Sequence, residues 1–338
     1  MKRLIAPIVA GAAFALLAGA ANAGTLDDVK AKGFLQCGVN TGLIGFAQPD
    51  DQGNWSGFDV DFCKAVAAAI FNDVTKVKYT PLTAKDRFTA LQSGEIDLLS
   101  RNTTWTMSRD TSLGLAFGVT TYYDGQGFMV RKSLGVTSAL ELSGAAVCVQ
   151  SGTTTELNLS DYFKVNNMTL NPVVFEPLPE TEAAYDSGRC DAYTTDASGL
   201  YATRLKLSAP DDHIILPEII SKEPLGPVVR QGDEQWFNVM KWVGFALLNA
   251  EELGVTQANV EDMKASENQS IRRLVGVDGT FGEAVGLGND WAANAIKAVG
   301  NYGEIFDRNI GTGSKLGIAR GLNALWTKGG IQYAPPIR

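Results

Sequence analysis

Asp86-Arg87-Phe88-Thr89-Ala90-Leu91-Gln92-Ser93-Gly94-Glu95-Ile96-Asp97 is the stretch from which the fold can be read, because its plan returns about ninety residues later. The second copy runs Thr181-Glu182-Ala183-Ala184-Tyr185-Asp186-Ser187-Gly188-Arg189-Cys190-Asp191. Each is a short helical pattern stopped by Ser-Gly and followed at once by apolar residues that read as a strand. Glycine there suits a left-handed helix cap, which most other residues adopt only at a cost. The unit of helix, Ser-Gly-x-x-Asp and strand, met twice, predicts two similar α/β lobes. Two lobes imply a cleft, where function is to be sought.

Outward from the first copy, the chain reads strand 34–39, a glycine-bearing loop 40–55 and helix 58–71, with Phe62, Val66 and Ile70 on one face. Asp59 sits near that helix start, where an acid can cap and complement the dipole. Strand 77–80, helix 84–93 and strand 96–100 complete a βαβαβ run, the grammar of a parallel sheet. Around the second copy lie strand 145–150, a helix from Thr154, strand 173–175, helix 181–187 and strand 190–194. Segments 125–131 and 223–230 read as the outward and return crossings between lobes. Lobe 1 is thus expected to hold 24–127 and 226–338, and lobe 2 residues 128–225, hinge strands included. Helix 235–253 carries Trp236, Val239, Val243 and Leu247 on one stripe. A Gly- and Asn-rich extension from about residue 266 holds two helix candidates, 291–299 and one centred on Leu322, Leu325 and Trp326. Its expected role is packing on the first lobe.

Met1-Lys2-Arg3, an apolar stretch to Ala20 and Ala21-Asn22-Ala23 have the pattern of a secretory signal peptide, 1–23, cleaved after Ala23. Its removal takes two of the 29 basic residues and none of the 37 acidic ones, moving the net charge from −8 to −10. So acidic a chain, without a basic run, is a poor partner for nucleic acid. No later apolar run reaches the ~20 residues that span a bilayer, so stable membrane insertion is not expected. Four cysteines in an exported chain can persist as disulfides, and their spacing lacks the paired pattern of a zinc site. Cys148 ends one strand and Cys190 begins another that should lie beside it, which favours Cys148–Cys190 and leaves Cys37–Cys63. Four buried free thiols are the alternative. Each bridge would add roughly 3–4 kcal/mol in the chain-entropy model.

Three groups at strand ends could carry chemistry. Ser151-Gly152-Thr153-Thr154-Thr155-Glu156 opens a helix, with Thr153 and Glu156 spaced as a capping box. Free N–H groups at that helix start could also bind a carboxylate, although capping alone accounts for the spacing. Ser100-Arg101-Asn102-Thr103-Thr104-Trp105-Thr106-Met107-Ser108-Arg109 follows the matching strand of the first lobe, where open α/β sheets place ligands. Arg109 could hold a carboxylate through two parallel hydrogen bonds. A solvated loop with surface ion pairs would also explain these arginines. Asp196 could receive an ammonium group or simply cap the helix that starts at Ala197. Taken together, Arg109, the Thr153-Thr154 turn and Asp196 would bind the carboxylate and ammonium common to α-amino acids.

These residues resemble a known family. Gly57-Phe58-Asp59-Val60-Asp61, Ser93-Gly94-x-x-Asp97, Arg109, Ser151-Gly152-Thr153-Thr154 and Gly188-x-x-Asp191 through Asp196 look like the periplasmic solute-binding proteins of the polar amino-acid ABC-transporter family. Asn301-Tyr302-Gly303-Glu304 and Gly321-Leu322-Asn323-Ala324-Leu325-Trp326 resemble its general L-amino-acid-binding branch. The resemblance implies a type II two-lobed α/β fold, each lobe a doubly wound sheet, joined by two strands and closing on its ligand. It also implies a monomer without cofactor or metal that delivers L-amino acids to permease subunits of an inner-membrane ABC transporter. Carried over, Arg109 clamps the α-carboxylate with the Thr104 hydroxyl and the Thr154 backbone, and Asp196 takes the ammonium with help from Asn102. Asn40 and Phe46 line the side-chain end, with Thr153 and Gln150 close by. An acid stands at the Asn40 position in strict basic-amino-acid binders, so strict Lys/Arg specificity is not expected. Arg101, where relatives carry a small polar residue, is expected to favour Glu-, Asp- or Gln-like side chains or to brace the closed lobes.

Two other readings attach to such a fold. One is a dehydratase acting on amino-acid-like substrates. Against catalysis, the single histidine, His213 in Asp211-Asp212-His213-Ile214, reads as a surface turn, and no Ser-His-Asp triad is apparent. The other is ligand delivery to a chemoreceptor.

Overall fold

The computed structural model describes residues 24–338, so the expected signal peptide lies outside the described residues. Two five-stranded mixed sheets form the two lobes. In the first, β1 (Leu35–Asn40) pairs in parallel with β2 (Val77–Leu82) on one side and β3 (Leu98–Leu99) on the other. Strand β4 (Leu115–Phe117) forms the far edge. The second sheet holds β6 (Gln126–Arg131), β7 (Ala146–Gln150), β8 (Asn171–Phe175), β9 (Ala192–Asp196) and β10 (His213–Ile215), in the order β8-β7-β9-β6-β10. Between the lobes, β5 (Tyr122–Asp124) and β11 (Glu223–Leu225) run antiparallel, with Glu223 opposite Asp124. Strand β12 (Val228–Arg230) then returns to the first sheet, antiparallel between β3 and β4.

The repeated motif has one physical reason in both lobes. Helix α3 (Arg87–Ser93) ends at Gly94 with φ 80°, and after α6 (Leu178–Asp186) Gly188 has φ 84°. Glycine carries that backbone without a Cβ penalty. The motif aspartate then stitches the strand that follows it to that strand's parallel neighbour. Asp97 N–H donates to the Gln36 carbonyl at 2.9 Å, and Gln36 N–H returns to Asp97 Oδ2 at 2.7 Å. In the second lobe Asp191 and Ala146 exchange the same two bonds, each 2.8 Å.

Helix α2 (Phe58–Phe71) is buried over most of its surface, the mark of a helix covered on both sides. The first sheet covers one side, and α8 (Glu234–Glu252) and α10 (Trp291–Val299) cover the rest. Its start is fixed by Gly57, where a Cβ would sit 2.2 Å from the Phe46 carbonyl oxygen. The Trp236, Val239, Val243, Leu247 stripe of α8 is buried, and the Trp236 indole donates to the Asp97 carbonyl at 2.9 Å. Disulfides join Cys37 to Cys63 and Cys148 to Cys190, with Cα separations of 6.3 and 5.6 Å. The first ties β1 to α2, and the second ties β7 to the turn before β9.

Three local expectations change. Segment 125–131 is mostly strand β6 inside the second sheet, and the crossing lies earlier, at Tyr122–Asp124. Periodicity cannot distinguish two adjoining extended segments separated by one glycine. The region around Leu322 and Trp326 forms two 3-10 turns, Gly321–Asn323 and Trp326–Lys328, and not a helix. The extension instead supplies α9 (Gln269–Leu274) and α11 (Tyr302–Asn309), the latter opened by a capping box of Asn301 and Glu304. His213 is buried on edge strand β10, its Nδ1 2.8 Å from the Tyr185 hydroxyl, and burial lowers its pKa. It belongs to the distal end of the second lobe, where it pairs with Arg131.

A candidate ligand-binding cleft

The residues after β3 turn back into the cleft because of Asn102. Its φ is 29°, a left-handed value that asparagine tolerates better than most residues. Its backbone N–H donates to Asp59 Oδ2 at 2.8 Å, so the start of α2 anchors the turn. Asp59 is fully buried, and burial raises its carboxyl to about 7 against the pull of the Asn102 bond and the Arg101 charge. Asn40, at the end of β1, donates its amide to Asn102 Oδ1 at 3.0 Å and accepts from Gly42 N–H at 3.2 Å.

Three guanidinium groups are buried on the first-lobe wall. Arg101 Nε donates to the Leu82 carbonyl at 2.9 Å, while its Nη2 is buried without a partner. This fixed bond lies within the first lobe, so Arg101 does not tie the lobes together through it. Arg109, on α4 (Met107–Ser112), donates from Nη1 to the Thr104 carbonyl at 2.9 Å. It packs over the Phe88 ring, as does Arg87 from α3. Arg87 Nε is a buried donor with no partner. Desolvation lowers all three from the ordinary arginine value, Arg101 to about 10 and Arg87 well below normal, with the like charges of its neighbours adding to the effect on Arg87.

Opposite them stand three carboxyl groups. Asp196 occupies the N-cap position of α7 (Ala197–Arg204) but makes no capping hydrogen bond. Asp124 of the crossing strand takes over that duty, accepting from Ser198 N–H at 3.3 Å and from the Ser198 hydroxyl. Asp196 is thereby left to face the cleft, only 7 % exposed. Burial, then the charges of Asp124 and Glu223, hold its carboxyl well above the usual range, against a smaller downward pull from the nearby Asn102 side chain. Its charge registers on Arg87, Arg101 and Arg109 alike. Burial raises Asp124 to about 6.

Glu223, the third acid, lies at the meeting point of both lobes. Thr104 and Thr154 hydroxyls donate to its Oε2 at 2.6 and 2.9 Å. Each hydroxyl has one hydrogen, so towards a ligand these threonines offer lone pairs. The help expected from the Thr104 hydroxyl in binding a carboxylate is therefore redirected.

The other expected site residues make contacts within their own lobes. Thr153 caps α5 (Thr154–Val165), accepting from Glu156 N–H at 3.1 Å. Glu156 returns its bond to Gly152 N–H at 3.0 Å, one residue before the cap. Gln150 holds the Glu176 carbonyl at 2.8 Å. Phe46 is 1 % exposed, its ring 5.5 Å from Tyr122 within an aromatic cluster that includes Phe58. Arg87, Asp124 and Glu223 were not singled out from the sequence. Arg87 stands inside the opening motif, at a helix start after a strand, Asp124 beside the expected outward crossing and Glu223 at the start of the return one. Among the described residues no cluster of three or more His, Cys, Asp or Glu could hold a metal ion.

With this geometry, similarity to known proteins becomes informative. A family model for bacterial extracellular solute-binding proteins, family 3, matches residues 35–273. The general L-amino acid-binding periplasmic protein AapJ of Rhizobium johnstonii is 71% identical over 339 residues, covering 100% of this chain and 99% of that protein. The glutamate/glutamine/aspartate/asparagine-binding protein BztA of Rhodobacter capsulatus is 60% identical, covering 96% of each. A solved ABC transporter / periplasmic binding protein from Brucella ovis with glutathione bound superposes with a TM-score of 0.92 at 67% identity, covering 94% of this chain and 100% of that one.

Proposed function

The chain belongs to the family 3 bacterial extracellular solute-binding proteins, and from that premise we propose that it captures L-amino acids in the periplasm for an ABC-type inner-membrane permease. One observation carries the ligand class. Asp124 relieves Asp196 of helix capping, so a buried carboxylate faces buried guanidinium groups across one cleft. An α-amino acid matches that pair, its carboxylate on Arg109 and its ammonium on Asp196. Asn102 and Asn40 hold the turn that presents them.

The range is broad and includes acidic and amide side chains. Arg87 and Arg101 bring unpartnered donors beyond what one carboxylate uses, and a terminal acyl oxygen of Glu, Gln, Asp or Asn can accept them. The ligands named for the relatives are consistent with this range. Glutathione carries the same α-amino-acid head on its γ-glutamyl residue. In this reading the ligand is held and released unchanged, with Asp196 serving as the partner of its ammonium.

Capture proceeds by closure, the ligand stabilising the closed form by its differential affinity for it. Calorimetric titration of ligand-stripped protein with a panel of L-amino acids tests the reading. Tight binding is expected, and Arg109→Ala and Asp196→Ala should each abolish it while leaving a cooperative unfolding transition. Near-native affinity in either variant overturns the assignment.

A further inference from the structure

Glu223 is 1 % exposed, and each of its oxygens receives two donors. Besides the two threonines on Oε2, Asn158 Nδ2 and the Ser221 hydroxyl donate to Oε1 at 2.8 and 2.7 Å. The donors come from three parts of the molecule. Thr104 belongs to the first lobe, Thr154 and Asn158 to α5 of the second, and Ser221 to the approach to β11. Thr104 and Thr154 oxygens are 3.3 Å apart, so the lobes touch at this carboxylate. A carboxylate accepts only, and all four neighbours donate. Thr104 is held beside β11 by backbone bonds, Trp105 N–H to the Pro224 carbonyl at 2.8 Å and Gly226 N–H to the Thr103 carbonyl at 3.0 Å, so the set is complete only while α5 of the second lobe meets them.

We propose that Glu223 is a positioning residue for ligand capture, a carboxylate on the crossing strand whose donor set is completed by α5 only on closure and then turns the lone pairs of Thr104 and Thr154 towards the ligand's ammonium. Closing the lobes and completing the ammonium site are then one event. In the open form Glu223 keeps at most the donors on its own side. Its negative charge also reaches Asp196, Arg109 and Arg87, so it adds to the field that the bound ammonium meets. This inference rests on the amino-acid reading above.

The test compares wild type, Glu223→Gln and Asn158→Ala, with L-glutamate as probe, by calorimetry and stopped-flow tryptophan fluorescence. An amide at 223 presents two hydrogens to a set of donors, and losing a buried partner of this kind corresponds to an affinity loss of about 10- to 100-fold. The loss should appear in the dissociation rate, with the association rate nearly unchanged, because encounter involves the open form. Asn158→Ala, which removes one donor from a half-exposed helix face, should show the same pattern at about 3- to 10-fold and serves if Glu223→Gln does not fold. Unchanged dissociation, or a loss seen only as fewer active molecules and a lower melting temperature, overturns the proposal. Wild type that binds no L-amino acid overturns the functional reading instead. Solution scattering of the ligand-free proteins then decides Glu223: a larger radius of gyration in Glu223→Gln than in wild type supports it, and equal radii overturn it.

Discussion

Asp59, Asp124 and Asp196 bind protons more tightly in the folded chain than carboxyls do in water, and burial is the leading cause in each. A folded pKa raised above the unfolded one contributes stability that is full below the unfolded value and lost as pH rises through the folded value. For Asp59 that window runs from the ordinary aspartate value of 3.8 to about 7. His213, whose folded pKa is lowered, acts in the opposite sense as pH falls, so the contribution is best isolated by substitution. Urea unfolding of ligand-free protein should show Asp59→Asn gaining relative to wild type at pH 8 over pH 5, by on the order of a few kcal/mol. Ligand affinity should run the other way. With the ammonium on Asp196 as proposed, that carboxyl must give up its proton on binding, so affinity should rise with pH and binding should release a proton, seen as a buffer-dependent binding enthalpy. None of these shifts is legible in the sequence, where Asp196 reads equally as a helix cap. The capping task moved to Asp124, a residue 72 positions earlier.

At the scale of elements, most of the two lobes could be read directly. The helix at Phe58–Phe71, the stripe on α8 and the paired Ser-Gly-x-x-Asp units all rest on local pattern and left-handed caps. In the extension after α8 only helix α10 (Trp291–Val299) could be read this way, because the other short elements are ordered by what they cover. Asn323 shows how. Its side chain accepts from Tyr123 N–H at 2.7 Å and donates to the Tyr123 carbonyl at 3.0 Å, completing the outer edge of the crossing strand. Gln332 reaches the neighbouring Thr120 and Thr121 carbonyls at 3.2 and 3.3 Å. The extension thus braces the hinge as well as covering α2. Asn323→Ala should cost about 1–3 kcal/mol of stability, since it takes these partners from the part-buried N–H and carbonyl of Tyr123, and urea denaturation would measure it.

For the whole molecule, closure is written in contacts between the lobes. Lys206, held by Glu182 at 3.0 Å, donates to the Gly42 carbonyl of the first lobe at 2.6 Å, and Lys85 pairs with Glu176 at 3.2 Å. The Lys85 pair is exposed and adds little, whereas Lys206 reaches the loop that Asn40 organises. Lys206→Ala should therefore speed ligand release about 3- to 10-fold, the size expected for one charged hydrogen bond, with the unfolding midpoint nearly unchanged. Stopped-flow release would show it.

The sequence by itself determined the two-lobed α/β plan and the places after strands where Arg109, Thr154 and Asp196 stand, and it favoured the cysteine partners. These follow from periodicity, caps and chain order, which are local properties. Only the tertiary structure decided which polar groups are free for a ligand. Asp196 is released because Asp124 caps its helix, Thr153 and Gln150 are occupied by backbone partners, and Glu223 collects hydroxyls from both lobes. Hydrogen bonds of that kind join residues far apart in the chain, and their competition for each donor is resolved only when the lobes meet.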